Sequence, residues 1–181
     1  MNKRFIAIIT ISLFIVSLIC CLSLLLNDFV STDERESHNS QDDILHKVVR
    51  VIDGDTIIIR INDSPETVRL IGINTPETVD PRKPVECFGI EASNKAKEIL
   101  SGKFVRLEGD YLVGERDKYG RLLGYIFLED GTNFNKMMIV EGYAYEYSYD
   151  LPYKYQSEFK QAEKEAKEME KGLWKKGVCE N

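Results

Sequence analysis

The sequence predicts an α+β fold: a five-stranded OB-type β-barrel with about three packed helices, preceded by an N-terminal transmembrane helix. Five short strand-like segments, the second of them rich in β-branched residues, are separated by turns and loops, with one helical segment after the third. Two further helical segments follow the fifth. The transmembrane helix is predicted from Phe5–Leu26, a run of 22 residues without a charge, because about 20 apolar residues span a bilayer as a helix.

Length and charge limit the class of protein. The chain has 181 residues, of which 43% are hydrophobic, and a formal net charge of -6. We divide it into residues 1–26, a membrane anchor or signal segment; residues 27–43, a flexible acidic tether; and residues 44–181, one folded domain. The domain has 21 Lys and Arg against 24 Asp and Glu, so it is not a globally basic nucleic-acid binder. Any phosphate-binding site must therefore be a local cluster.

The residues around the apolar run favour a retained anchor. Lys3 and Arg4 precede it, and this positive flank predicts that the N-terminus stays inside and the domain is exported. A cleaved signal peptide is the alternative, but its apolar core is usually shorter, about 7–15 residues, and no small-x-small site follows Leu26. A lipoprotein would be attached at Cys20 or Cys21, but bulky residues precede both. We therefore expect a single-pass cell-membrane protein with its domain outside, or a secreted protein if the segment is cleaved.

The predicted strands are residues 46–52, 56–61, 67–71, 103–108 and 121–128. Short turns at 53–55 and 62–65 connect the first three strands, which therefore form a meander. A long loop with three prolines follows at 74–88, and a polar loop follows at 109–120. A meander of this kind can bring the first turn, the end of the third strand and the loop after it to one end of the barrel.

Three helices are predicted after the meander. Residues 89–100 have one apolar face and stop before Gly102, and residues 133–140 form a short helix ending at Gly142. The last helix is indicated by apolar residues with 4-3-4-3 spacing: Tyr155, Phe159, Ala162, Ala166 and Met169. It ends at Gly172, after which Leu173 and Trp174 can fold back onto the core.

Two carboxylates lie at the turn between the first two strands. Asp53-Gly54-Asp55 contains an Asp-Gly pair, which is a common hairpin signal and needs no function. A turn needs only one of the two acids, however. Asp55 begins an apolar strand, where a carboxylate costs desolvation free energy unless something pairs with it. A pairing partner is therefore expected.

Two arginines could reach the same end of the barrel. Arg69 stands among apolar residues of the third strand, and Arg121 begins the fifth strand after Asp117-Lys118-Tyr119-Gly120. Each could simply be a solvated surface residue. The guanidinium fork binds phosphate well, whereas carboxylates bind a metal ion or accept a proton. Arginines and carboxylates at one barrel end together indicate metal-assisted hydrolysis of a phosphodiester.

Four blocks of the chain, in order and with matching spacing, resemble the staphylococcal nuclease (thermonuclease) family. They are VIDGDT at 51–56, RLIGINTPET at 69–78, GIEAS at 89–93 and DKYGR at 117–121. The resemblance extends over about residues 47–174. It implies an OB-type barrel and a Ca2+-dependent endonuclease that hydrolyses DNA and RNA with broad specificity. We expect the protein to be a monomer.

The resemblance implies a Ca2+ site at the acidic turn. Asp55 matches a metal ligand, Thr75 matches a residue that offers its backbone carbonyl, and Asp53 matches an acid just behind the ligands. Asn74 departs from the family, because the best-known members carry an Asp there that binds the metal directly. An amide oxygen is an accepted Ca2+ ligand but brings no charge. We therefore expect weaker metal binding at Asn74 rather than loss of activity.

The resemblance also implies the catalytic and substrate-binding residues. Glu77 matches the proposed general base, and Arg69 and Arg121 match two phosphate-binding arginines. Preorganised guanidinium donors stabilise the negative charge that builds on the phosphate in the transition state. Tyr119 matches a residue near the bound phosphate, and we expect it and Lys118 to contact nucleic acid.

Tyrosines that stack on nucleotides are a further family feature, and here their register is shifted. In GYAYEYSYDLPYKY (142–155) strict register places Ser148 at the first such position, and a shift of one residue restores Tyr147 and Tyr149. These rings could stack on bases. They could instead cover the seam between helix and barrel, and both interpretations stay open.

Cys87 and Cys179 lie in the part of the chain that is predicted to be exported, where oxidation is possible. Two cysteines without CxxC spacing make a poor zinc site, so one disulfide is expected. Two buried thiols are the alternative. The disulfide would tie the C-terminal tail to the loop that carries Glu77.

Two other functions compete with catalysis. One is an OB module that binds single-stranded nucleic acid without cutting it, and the other is a scaffold for an envelope partner. The chain has only two histidines, His38 and His46, which argues against His-based metal nucleases and Ser–His hydrolases. The intact set of matched acids and arginines favours the nuclease, because a non-catalytic relative would be expected to lose part of it.

Overall fold

The computed structural model describes residues 44–149 and 151–179. The predicted anchor at 1–26 and the predicted tether at 27–43 lie outside these residues. Within them, no helix is both long and apolar enough to cross a membrane.

Four strands open the described chain, and the remaining strands and helices follow them. The strands are β1 (Leu45–Asp53), β2 (Thr56–Ile61), β3 (Ser64–Leu70), β4 (Ile73–Asn74), β5 (Phe104–Glu108), β6 (Leu122–Phe127) and β7 (Tyr145–Glu146). The helices are α1 (Gly89–Leu100), α2 (Phe134–Val140) and α3 (Gln156–Glu168), followed by a 3-10 helix at Gly172–Trp174.

Five strands close into a barrel in the order β1-β2-β3-β6-β5. This barrel and its three helices confirm the predicted OB-type fold. All its neighbouring strands are antiparallel except β3 and β6, which run parallel. Their register sets Leu122 beside Val68. Arg121, one residue earlier, therefore lies near the end of β3 that carries Arg69.

The turn between β2 and β3 is shorter than the predicted one at 62–65. It consists of Asn62 and Asp63, both with positive φ (47° and 63°), and β3 begins at Ser64. Asn and Asp tolerate this left-handed backbone better than most residues. Two such residues in succession make the tight hairpin turn that fits the twist of the strands. A turn of two residues is therefore sufficient.

The core fills the barrel and continues under the helices. Its largest fully buried side chains include Ile57, Ile59, Leu70, Tyr125, Ile126, Phe134, Met138 and Phe159, and burying a side chain of this size stabilises the fold by about 1.5–3 kcal/mol. The predicted apolar face of the last helix is confirmed at Phe159, Ala162 and Ala166. It is wrong at Met169, which is 64% exposed because α3 ends at Glu168.

A second, two-stranded sheet was not predicted from the sequence. β4 pairs antiparallel with β7, with Ile73 opposite Glu146 and Asn74 opposite Tyr145. The Tyr147 N–H then donates to the Gly72 carbonyl at 3.0 Å. The segment after β3 is thereby joined to the segment that carries the tyrosines.

The C-terminal tail is fixed to the domain at two places. Cys87 and Cys179 form a disulfide, with Cα atoms 5.7 Å apart. Earlier in the tail, the Leu173 N–H donates to the Gly142 carbonyl at 2.8 Å. Gly142 and Gly172 both have positive φ, and a Cβ on either would collide with the backbone of the other segment. Glycine is therefore required at this crossing.

Candidate active site

One end of the barrel opens into a cleft of about 450 Å3. The residues predicted to bind a metal or to take part in catalysis all line it: Asp53, Asp55, Arg69, Asn74, Thr75, Glu77 and Arg121. They come from the β1–β2 turn, the end of β3, the end of β4 and the loop after it, and the residue just before β6. The strand order of the barrel thus brings together residues that are up to 68 positions apart.

Asp55 is buried at the β1–β2 turn and held by several donors. Its Oδ1 accepts a hydrogen bond from Thr56 Oγ1 (2.9 Å), and its Oδ2 accepts one from the Thr75 N–H (3.0 Å). Arg69 Nη2 lies 3.2 Å from Oδ2. Gly54 allows this approach, because a Cβ there would lie 2.6 Å from Thr75 Cγ2. The partner that the buried acid required is therefore Arg69.

Asp53 connects the same turn to the loop that carries Glu77. Its Oδ1 accepts from Thr78 Oγ1 (2.8 Å) and the Gly54 N–H (2.9 Å), and its Oδ2 accepts from the Thr78 N–H (3.3 Å). Burial raises the pKa of Asp53, and the nearby charge of Asp55 adds to this, although the hydrogen bonds oppose it. Thr78 was not singled out from the sequence, although it ends the block RLIGINTPET.

Arg69 is buried, with 4% of its surface exposed, so it is not a solvated surface residue. Its Nη1 donates to the carbonyls of Leu70 and Ile73, both at 2.8 Å. Its Nη2 donates to Asn74 Oδ1 at 2.9 Å and also faces Asp55. The backbone after β3 therefore wraps around the guanidinium and fixes its orientation. Within the described chain, Nε has no hydrogen-bond partner.

Glu77 is held through both its backbone and its side chain. Its Oε1 accepts from the N–H groups of Val79 (2.7 Å) and Asp80 (3.1 Å). Its own N–H donates to Glu86 Oε2 (3.0 Å), and its carbonyl accepts from the Glu86 N–H (2.9 Å). Oε2 of Glu77 has no hydrogen-bond partner in residues 44–149 and 151–179. One carboxylate oxygen thus fixes the side chain and the other remains for chemistry.

Arg121 is fixed by an acid that the sequence analysis did not assign. Its Nε donates to Asp117 Oδ2 and its Nη2 pairs with the same oxygen, both at 2.7 Å. Asp117 Oδ1 accepts from the N–H groups of Tyr119 (2.9 Å) and Arg121 (3.0 Å). Burial acts to raise the pKa of Asp117, but these hydrogen bonds outweigh it and hold the pKa below its usual value. The sequence feature that could have predicted this pair is an Asp four residues before an Arg in a turn.

The predicted nucleic-acid-binding residues lie at or outside the rim of the cleft. Tyr149 lines it and is 61% exposed, and Tyr147 packs edge-on against it with ring centroids 4.7 Å apart. With Tyr147 40% exposed, these rings do not form a buried seam. The exposed Tyr119 ring lies 5.4 Å from the Arg121 guanidinium and 5.1 Å from Lys118 Nζ. Tyr119 therefore borders one of the two cleft arginines.

Three further cleft residues come from the loop between β4 and α1 and were missed. They are Val79, Lys83 and Glu86. They could have been found from their position in the sequence, because they lie in a charged loop between two blocks that match the family. A long charged loop next to a site is a common place for functional residues.

The oxygen donors of the cleft fit a hard divalent cation. Carboxylate, amide and backbone carbonyl oxygens are the ligands that Ca2+ and Mg2+ accept, and Asp55, Asn74 and Thr75 supply one of each. Thr75 Oγ1 is also buried without a hydrogen-bond partner in the described residues. No group of three or more His, Cys, Asp or Glu side chains in residues 44–149 and 151–179 is placed to share a metal. Water would therefore have to complete the coordination.

Comparison with known proteins gives the family of the chain. Residues 67–176 match the family described as "Staphylococcal nuclease homologue". The chain is 44% identical over 129 residues to the thermonuclease of Staphylococcus hyicus and 46% identical over 129 residues to that of Staphylococcus intermedius. Both alignments cover 71% of this chain and 75% of the relative. Endonuclease YncB of Bacillus subtilis is 35% identical over 155 residues, covering 83% of this chain and 72% of that protein. The chain therefore belongs to the staphylococcal nuclease family and is a nuclease.

Proposed function

We propose that this nuclease hydrolyses phosphodiester bonds of DNA and RNA in a Ca2+-dependent reaction, with broad specificity and as a monomer, at the cleft described above. The observation that carries the proposal is the convergence of two fixed guanidinium groups and one oriented carboxylate beside the buried Asp55. Each of these groups has an atom in the cleft lining. A fold that only bound nucleic acid would have no need of the oriented Glu77 carboxylate in the same cleft.

Asp55, the Asn74 side-chain oxygen and the Thr75 carbonyl would hold Ca2+, with Asp53 behind them. The bound ion supplies Lewis-acid stabilisation of negative charge on the phosphate. Asp53 holds the turn and the loop in register through Thr78. The family is known to use metal ions, which supports the presence of a metal ion in this nuclease.

Glu77 acts as the general base. It binds the attacking water through Oε2 and accepts one proton from it, while Oε1 stays bonded to the N–H groups of Val79 and Asp80. The water oxygen bonds to phosphorus as the bond from phosphorus to the leaving sugar oxygen breaks, and solvent protonates that oxygen. Holding the base in place removes much of the entropic cost of bringing it to the water.

Arg69 and Arg121 bind the phosphate that is cleaved. Charge on its oxygens increases in the transition state, so donors that are already oriented stabilise that state more than the ground state. Asp117 orients Arg121, and the carbonyls of Leu70 and Ile73 orient Arg69. These contacts use Nη1 and Nη2 of Arg69 and Nε and Nη2 of Arg121. Nε of Arg69 and Nη1 of Arg121 therefore remain to donate to the substrate.

Broad specificity follows from contacts to the backbone and to base faces. Phosphate contacts carry no sequence information. Tyr119, Tyr147 and Tyr149 expose rings near the cleft, and stacking on aromatic rings tolerates any base. Lys118 adds a cation beside Tyr119.

The metal requirement is tested by cleavage of DNA and of RNA at increasing free Ca2+. Cleavage should appear with Ca2+ and stop on addition of EGTA, because EGTA removes the ion that is proposed to act as the Lewis acid. Nucleic acid that is bound but not cut at any Ca2+ concentration would instead indicate a binding module. Cleavage that EGTA leaves unchanged would contradict the metal assignment.

The variant Asn74→Asp tests whether residue 74 is a Ca2+ ligand. The new carboxylate should still accept from Arg69 Nη2 and adds one negative charge to the site, and ligand charge count tunes Ca2+ affinity. We expect calorimetry to show Ca2+ binding about tenfold tighter or more. Asn94→Asp is the control, because it makes the same charge change on an exposed position of α1 outside the cleft. Equal affinities in both variants would exclude Asn74 as a ligand.

We also propose that the domain is exported and tethered to the cell membrane by the apolar run at 5–26. The disulfide between Cys87 and Cys179 supports an oxidising compartment. Full-length protein should stay in the membrane fraction with Met1 or Asn2 at its N-terminus, and protease added outside should reach the domain. A soluble mature protein beginning near residues 28–31 would show a cleaved signal peptide instead.

A further inference from the structure

Among the residues that the structure describes, three basic side chains line the cleft: Arg69, Lys83 and Arg121. Arg69 is paired with Asp55, and Arg121 is paired with Asp117. In residues 44–149 and 151–179, no carboxylate lies within ion-pair distance of Lys83 Nζ. Lys83 is therefore the cleft cation whose charge is least compensated by the protein itself.

The loop that carries Lys83 is fixed at both ends. Glu77 and Glu86 exchange backbone and side-chain hydrogen bonds at 2.9 and 3.0 Å, and the residue after Glu86 is the disulfide-bonded Cys87. Within the loop, the Lys83 N–H donates to the Asp80 carbonyl at 3.1 Å. The backbone of Lys83 is thus held in a turn, while its long flexible stem lets the ammonium follow a phosphate.

The acidic residues of the cleft would repel a nucleic-acid strand unless a cation offsets their charge. Asp53, Asp55, Glu77 and Glu86 line the cleft, and a nucleic-acid strand brings one negative charge with every nucleotide. Arg69 and Arg121 are both committed to the phosphate that is cleaved. A strand that extends beyond that phosphate along the loop therefore meets acids unless a cation accompanies it.

We propose that Lys83 binds a phosphate of the strand next to the one that is cleaved, and so favours polymeric nucleic acid over mononucleotide esters. The proposal rests on the active site proposed above. It makes Lys83 a specificity residue and assigns it no part in the chemical step. Its effect should appear in KM for long substrates and in their salt dependence.

Arg82 offers a matched control on the same loop. It carries the same charge, one residue earlier, but its side chain is 86% exposed and does not line the cleft. Its Nε and Nη2 donate to Asp80 at 2.8 Å each. Removing its charge changes the net charge of the loop as Lys83→Gln does, without removing a cleft cation.

The experiment compares Lys83→Gln with Arg82→Gln in the full chain, held in detergent micelles with Ca2+. The substrates are a single-stranded DNA oligonucleotide and the p-nitrophenyl ester of thymidine 5′-phosphate. Lys83→Gln should raise KM for the oligonucleotide about three- to tenfold at low salt. It should also reduce the slope of log KM against log salt by about one, with kcat unchanged. The mononucleotide ester should be hydrolysed as by the wild type, and Lys83→Arg should restore KM.

Other outcomes overturn the proposal. Equal changes in Lys83→Gln and Arg82→Gln would indicate only the general field of the loop. A fall in kcat on both substrates would place Lys83 in the chemical step, and no change on either would show that it does not meet the strand. A wild type that fails to cleave the oligonucleotide with Ca2+ would contradict the proposed function itself, before Lys83 is tested.

Discussion

Glu77→Gln lowers kcat by at least about a hundredfold while the domain stays folded. A positioned general base contributes about two to four powers of ten to a rate, and an amide cannot accept the proton of the attacking water. The Gln oxygen can still accept from the N–H groups of Val79 and Asp80, so the loop keeps its conformation. Steady-state kinetics on DNA with saturating Ca2+, together with circular dichroism, measures both effects.

Glu86→Gln is the matched control for this variant. It removes the same charge from the same cleft, and its amide oxygen can still accept from the Glu77 N–H. Activity within a fewfold of the wild type is expected for Glu86→Gln, because its carboxylate is used to hold the Glu77 backbone. Near-normal kcat in Glu77→Gln, or an equal loss in both variants, would remove Glu77 from the role of base.

The fold could be predicted because its strands carry strong local signals. β2 is a run of β-branched residues, and the Gly54 turn before it has a common hairpin composition. The position of Arg69 was also informative, because a cation among buried neighbours demands partners. The structure supplies those partners from the two carbonyls that follow in the chain and from Asp55.

The remaining features depend on three-dimensional contacts that leave no periodic pattern in the sequence. β4 and β7 have two residues each, which is too short for any periodic pattern, and only the barrel brings them together. The pairing of Asp117 with Arg121 depends on the backbone of one turn. The place of Lys83 in the cleft depends on how the loop folds back between Glu77 and Cys87. A single sequence shows the residues of such a loop without showing which of them face inward.

Removal of the disulfide is expected to have the largest effect on stability. Cys87 and Cys179 are 92 positions apart, and closing a loop of this size stabilises the fold by about 4–5 kcal/mol in the chain-entropy model. The double variant Cys87→Ser/Cys179→Ser should lose free energy of unfolding of up to this size. Urea unfolding of the variant, and of the wild type with and without reductant, measures the loss.

The other two cysteines provide the control. Cys20→Ser/Cys21→Ser removes two thiols from the apolar run and should leave the unfolding of the domain unchanged, with or without reductant. An unfolding curve of the wild type that reductant does not shift would show that the bond does not stabilise the domain. Free thiols at both positions in exported protein, detected by mass spectrometry without reductant, would show that it does not form there.

The same variant tests whether the bond also serves the active site. Cys87 follows Glu86, and Glu86 holds the Glu77 backbone from both sides, at 2.9 and 3.0 Å. Without the bond, the loop loses its covalent link to the tail, whereas the Leu173–Gly142 contact keeps the tail itself in place. We therefore expect kcat to fall at temperatures where circular dichroism still shows a folded domain, because a mobile Glu77 spends less time in position to take the proton. If kcat stays at the wild-type value in the folded variant, the hydrogen bonds between Glu77 and Glu86 are sufficient to position the base, and the disulfide acts on stability alone.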